Sequence, residues 1–264
     1  MTIATLSDFQ IACQQQQLGI SPTKINLSGI AGRLSSLWVT TPDAGVAPTT
    51  AVIPTSATAG ALPLPSTAAI KRLVKFEHSG AFGMLYLADR LSHQGGLSGI
   101  VTTAQTTNLP TAALTRYTGG DGVWIGLEIY TLVGTTATTV TASYTNQAGT
   151  PGRTTVAVVL GGTGFREVGR VVQLPLQSGD TGVRSVESVT VLASTLTAGN
   201  FGVTLFRPLM MLPMFVGVPV SPDMLRSGGC QMPPVGQDAC LQWMFRPNGT
   251  SCGPFTVEMY LSIE

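Results

Sequence analysis

Along residues 122–207, apolar and polar positions recur with the period of two that a pleated strand imposes. Val183, Ser185 and Glu187 share one face of a run whose other face carries Arg184, Val186 and Ser188. Similar runs fall at 123–133 (VWIGLEIYTLV), 139–144 (TVTASY), 154–160 (TTVAVVL), 168–176 and 201–206 (FGVTLF). Between them lie dense turn sequences, such as NQAGTPG at 146–152, GGTG at 161–164 and QSGDTG at 177–182, rich in residues that tolerate tight backbone geometry. Strands joined by short turns, with no long helical period between them, predict an all-β fold. The expected architecture is an antiparallel β-sandwich or jelly-roll-like domain over residues 70–207. Within it, Ile70 to Glu77 reads as a strand, Phe82 to Leu87 as a buried strand or short helix, and Asp89 to Gly96 (DRLSHQGG) as a polar turn.

The flanks differ. Residues 1–69 read as an N-terminal arm. Ser7 is placed to cap a short helix over 8–17 with Phe9, Ile11, Ala12 and Leu18 as its apolar residues. Residues 40–69 carry Pro42, Pro48, Pro54, Pro63 and Pro65, which rules out a central strand or helix. The same stretch carries Val46, Val52, Ile53, Leu62 and Leu64, more apolar than a flexible linker. It therefore predicts an extended strap lying on a protein surface, its own or a neighbour's. Residues 208–264 read as a C-terminal extension. A proline-rich crossing at 208–222 leads to a hairpin of 240–245 and 255–263 about the Asn248-Gly249 turn.

Composition narrows the function. Charged residues make up 10% of the chain, against about 25% in an ordinary soluble domain. Fourteen basic and 13 acidic residues leave a net charge of +1, and no basic block exists to follow a phosphate backbone, so no nucleic-acid partner is expected. With 44% hydrophobic residues the chain folds rather than staying disordered. No apolar run approaches the ~18 residues of a membrane span, so no membrane association is expected. The first eight residues lack the basic start of a signal peptide, which predicts production in the cytoplasm and reduced cysteines there.

Candidate chemistry is sparse. The histidines are His78 and His93. A Ser-His-Asp arrangement would draw on His93 with Asp89 or Asp121, but no G-x-S-x-G nucleophile turn occurs. No phosphate-binding G-x-x-x-x-G-K occurs either, and Gly162-x-Gly164 reads as a β-turn. Cys230, Cys240 and Cys252 lack the close pair of a zinc site. They read as buried thiols, with a late disulfide between Cys240 and Cys252 across the hairpin as the alternative. Asp121 and Asp180 sit in glycine-rich turns, where they are expected to bond nearby backbone. Trp124, Tyr130 and Tyr144 would suit a sugar if exposed, and read as core if not. The expectation is a protein that is not an enzyme and holds no cofactor or metal.

The phrases GGLSGIVTTAQTTNLP, LTRYTGGDGVWIGLEIYT, VTASYTNQAGTPGRTTV, VVQLPLQSGDTGVRSVESVTV and LTAGNFGVTLFRPL, mainly within Gly95 to Leu205, resemble a family of tailed-bacteriophage virion structural proteins. That resemblance implies a β-rich particle component with no catalytic motif. Joined to the low charge and the arm, it leads to the expectation of a capsid decoration or cement protein, located in the virion. Such a protein would bind the major capsid protein or other virion proteins and form a homo-oligomer, with a trimer as one arrangement. The candidate partner contacts are Phe9, Ile11, Leu18, Val46, Val52, Ile53, Leu62 and Leu64. A tail or neck component, or a surface receptor- or glycan-binding module, is the alternative.

Overall fold

The computed structural model describes residues 5, 7, 8, 11, 18–20, 23, 24, 30–64, 71–79, 82–216, 218, 234–249 and 255–263. Strands in chain order are β1 (Leu18–Ile20), β2 (Thr23–Lys24), β3 (Ser35–Ser36), β4 (Lys71–Ser79), β5 (Gly83–Leu97) and β6 (Gln105–Thr106). After a 3-10 turn at Leu109–Thr111 come β7 (Trp124–Thr131), β8 (Thr138–Asn146), β9 (Arg153–Thr154), β10 (Val158–Leu160) and β11 (Val171–Leu174). The chain ends in β12 (Val183–Val191), β13 (Asn200–Met214), β14 (Pro234–Val235), β15 (Leu241–Pro247) and β16 (Phe255–Ile263). Every pairing among these strands is antiparallel. The fold is all-β, as the alternation predicts.

A six-stranded sheet, ordered β11-β7-β13-β5-β15-β3, forms the spine. Its two longest strands, β5 and β13, span 15 residues each and run side by side from Phe201 opposite Leu97 to Met214 opposite Gly83. A second sheet, β10-β8-β12-β6 with β9 on β8, packs over one half of the spine. Ile125, Leu127, Ile129, Val203 and Leu205 of the spine meet Val140, Tyr144, Val186 and Val189 there. The third sheet, β1-β16-β4-β14 with β2 on β16, joins the other half. Leu85, Leu87, Met210, Leu212, Trp243 and Phe245 share that second core with Leu73, Met259 and Leu261. Each such fully buried side chain contributes about 1.5–3 kcal/mol, so two cores anchor one continuous spine.

The polar stretch Asp89–Gly96 is not a turn but the middle of β5, and Asp89, Arg90, Ser92, His93 and Gln94 are buried. Asp89, Arg90 and Gln94 find partners far off in sequence, among them Arg116, Glu128 and the Asn108 N–H, while Ser92 Oγ has none among the described residues, so polarity does not mark a surface here. The C-terminal hairpin does not form. β15 pairs with β5 and β3, while β16 pairs with β4, β1 and β2 in another sheet. The Asn248-Gly249 segment therefore carries the chain from one sheet to another, because each strand gains more by extending an existing sheet with a core face than by forming an isolated ribbon. The boundary expected at 207/208 falls inside β13, which continues through Pro208 and Pro213. Within residues 201–206 β13 pairs with both β7 and β5, but beyond 206 only β5 pairs with it among the described residues. A strand with a partner on one side only is where a sheet tolerates proline.

At the N-terminus, Ser7, Asp8 and Ile11 have helical backbone. The cap is Thr5 rather than Ser7. Thr5 Oγ1 accepts from the Asp8 N–H at 3.2 Å, and Asp8 Oδ2 accepts from the Thr5 N–H at 2.9 Å. This reciprocal pair satisfies two backbone donors, which Ser7 inside the first turn would not. Phe9 and the remainder of the expected helix lie outside the described residues, as do Cys13, Cys230 and Cys252.

Candidate functional site

The period of two puts alternate residues of the spine on opposite faces. Leu127 and Ile129 enter the first core, so Glu128 and Tyr130 turn to the other face; Val203 and Leu205 do the same for Thr204. On that outer face β5 supplies Arg90 and His93, and β15 supplies Gln242. Glu128 Oε2 accepts from the Arg90 Nη2 guanidinium, from the Thr204 hydroxyl at 2.9 Å and from the Tyr130 hydroxyl at 3.1 Å. Arg90 also donates from Nε to Gln242 Oε1 at 3.0 Å and from Nη1 to His93 Nδ1 at 2.7 Å. Both members of the Arg90–Glu128 ion pair are fully buried.

A second ion pair adjoins the first. Arg116 donates to both oxygens of Asp89 at 2.9 Å and to the carbonyls of Arg90 (2.9 Å) and Pro54 (3.2 Å). The Cys240 N–H also donates to Asp89 Oδ1, at 2.9 Å. Burial pushes the Asp89 carboxyl upward against the opposing pull of Arg116, and pushes the Cys240 thiol up to about 12. Cys240 is a free, buried thiol. Burial, followed by the charge of Arg90, holds the His93 ring down to about 2, so it is neutral.

The strap closes this outer face. Trp38 lies over Arg90 with its ring 4.0 Å from the guanidinium carbon, and meets the His93 ring edge-to-face at 5.4 Å. Gly45 and Gly60 lie against Trp38 so closely that a Cβ on Gly45 would stand 2.2 Å from the indole. Val52 and His93 exchange two backbone hydrogen bonds of 3.0 and 3.1 Å, and the Gly95 N–H donates to the Pro48 carbonyl at 2.7 Å. The Leu62 N–H reaches the Leu241 carbonyl at 2.8 Å. Residues 45–62 thus dock on the chain's own spine.

The candidate enzyme residues do not assemble. Asp89 and His93 share β5, but Asp89 bonds Arg116 while His93 bonds Arg90. Asp121 sits apart, accepting from the Thr181 hydroxyl at 3.1 Å across a bridge to Gly182. His78 lies on β4 opposite Val257. Asp180, expected to bond local backbone, instead binds the Tyr144 hydroxyl, the Asn146 amide (2.7 Å) and Arg153 (2.9 Å), which hold its carboxyl down to about 2. Tyr144 is core, Tyr130 is half-buried on Glu128, and Trp124 is half-buried edge-on to Phe206 at 5.9 Å. No group of metal-ligating side chains occurs among the described residues.

Of the candidate partner contacts, Val46 is 71% exposed and Ile11 37%. Val52, Ile53 and Leu64 are half-buried, and Leu62 is fully buried in the second core, so it offers no surface to a partner. Leu18 pairs with Leu261 in the third sheet. The sequence reading missed another surface. Past Phe206, Met211 (55% exposed), Phe215 and Val216 (72%) lie along the one-sided part of β13 and just beyond it, with Phe82 beside Phe215 at 6.2 Å. Alternation of Met211 with buried Met210 and Leu212 is the signal that would have found it.

No protein-family model, curated protein or solved structure matches the chain.

Proposed function

We propose that this chain is a non-enzymatic structural protein of a tailed-bacteriophage particle, a capsid decoration or cement protein that binds major capsid subunits and copies of itself. The observation that carries this reading is the stretch of β13 past Phe206, which pairs on one side only among the described residues, where Met211 and, just beyond the strand, Phe215 and Val216 expose apolar side chains. Exposed edges invite association. Pro208 and Pro213 interrupt this one, which favours side-chain contact over continuous strand addition. The low charge supports the same reading, since interface cores are depleted of charged residues. The ionic groups of the outer face are paired with one another under the strap, which suits a role in holding the fold. The resemblance of residues 95–205 to virion proteins points the same way.

The test uses phage particles prepared without this chain. Adding the purified chain should raise the temperature at which the particles release their genome. Met211→Glu with Phe215→Glu should fold normally and lose that effect. A chain that neither binds the particles nor changes their release temperature overturns the proposal.

A further inference from the structure

Between the strap and the spine lies a cavity of about 310 Å³, lined by Trp38, Val46, Val52, Ile53, Pro54 and His93 among others. We propose that this cavity is a binding site for a small, uncharged aryl or branched-alkyl compound carrying one carbonyl oxygen, which His93 Nε2–H recognises. The inference goes beyond the structural role and does not depend on it.

Four observations carry it. First, the donor is fixed. Arg90 Nη1 stands 2.7 Å from His93 Nδ1, and a guanidinium only donates, so Nδ1 is the acceptor and the neutral ring carries its proton on Nε2. Second, that donor is held and free. His93 is 2% exposed, its ring is clamped by Arg90 and by the edge of Trp38, and Nε2 finds no acceptor among the described residues. The Trp38 N–H, by contrast, is engaged with the Val46 carbonyl at 3.2 Å. Third, the ionic groups next to His93 and Pro54 are balanced. Arg90 is paired with Glu128 and Arg116 with Asp89, so a charged ligand would lose its hydration with no free counter-charge to replace it. Fourth, the walls are apolar apart from Thr58, whose Oγ1 accepts from the Thr55 N–H at 2.9 Å, and the volume equals that of about ten water molecules at a liquid share of ~30 Å³ each, which admits a one-ring compound. Apolar walls with a single directional polar group are the usual make-up of a small-molecule site.

The experiment uses the full chain and three probes of matched size: acetophenone, cumene (the same shape with the carbonyl replaced by an apolar branch) and benzoate. Binding is read by the assigned His93 Nε2 and Trp38 indole resonances. Acetophenone should shift both, saturably, and bind about three- to tenfold tighter than cumene, the value of one neutral hydrogen bond. Benzoate should bind more weakly than acetophenone. Val52→Phe fills the cavity while keeping the Val52 backbone bonds, and should abolish the shifts with the spectrum otherwise intact. No saturable shift up to the solubility limit of acetophenone overturns the proposal. So does equal binding of cumene, tighter binding of benzoate, or unchanged acetophenone binding by Val52→Phe.

Discussion

Glu128→Gln isolates the charge at the centre of the outer face. The amide keeps the size of the carboxylate, and its oxygen can still accept from Arg90, Thr204 and Tyr130, as Oε2 does now. What disappears is the negative charge facing a guanidinium with no solvent exposure. The second carboxylate oxygen, Oε1, is buried and has no partner in the described structure, so the new NH₂ group adds an unsatisfied donor there. Removing one partner of a buried pair costs about 3–5 kcal/mol, a large share of the ~5–15 kcal/mol that holds a domain folded. Thr204→Val deletes only one of the three hydrogen bonds to Oε2 and should cost about 1.5–3 kcal/mol, the range for a bond to a charged group. Urea unfolding followed by tryptophan fluorescence reports both, since Trp38 sits on Arg90. The midpoint should fall furthest for Glu128→Gln, with an unchanged slope. A loss below about 1 kcal/mol for Glu128→Gln would refute the reasoning, because it would mean that solvent already compensates Arg90.

Three further outcomes are expected. Gly45→Ala places a Cβ 2.2 Å from the Trp38 ring, so the strap must lift; the expected cost is about 1–3 kcal/mol, with faster hydrogen exchange at the Val52 amide, whereas Gly119→Ala, whose Cβ would meet Asp121 at an ordinary 3.4 Å, should leave that amide unchanged. His93 is neutral in the fold, with its pKa lowered from 6.5 to about 2, so the unfolded chain takes up a proton that the folded chain does not. Its contribution is complete above pH ~6.5 and is lost as pH falls, at a limiting slope of about 1.4 kcal/mol per pH unit. Replacing it with Gln should flatten the stability profile between about pH 6 and 4, and an identical profile in the variant would show that His93 ionises freely in the fold. Cys240, buried and held up to about 12, should resist iodoacetamide at mildly alkaline pH until urea unfolds the chain, as read by mass spectrometry of the Cys240 peptide; labelling at the rate of a free thiol would contradict its placement.

Alternation made much of the fold legible. The runs at 123–133, 139–144 and 183–192 correspond to β7, β8 and β12, and Phe255 to Ile263 is β16. These strands have one face in a core, so their side chains declare the pleat. The middle of β5 was illegible for the opposite reason. Asp89, Arg90, His93 and Gln94 look like a surface turn, because their partners stand far off in sequence: Arg116, Glu128, Thr204 and Gln242. Burial of an ion is decided by tertiary pairing, which local pattern does not encode. The same holds for Leu241–Pro247 and Phe255–Ile263, where a strong turn signal suggested mutual pairing and long-range sheet extension prevailed. Asp89 and His93 were legible as the unusual polar residues of the chain, but not as members of two separate ion-pair groups beneath a strap.

The measurement that bears most directly on the central claim is the copy number of this chain relative to the major capsid protein in purified particles, by quantitative mass spectrometry. A decoration or cement role predicts a ratio near one. A ratio of a few per cent would move the chain to the neck or tail and contradict the shell role, and absence from the particle would contradict the structural reading altogether.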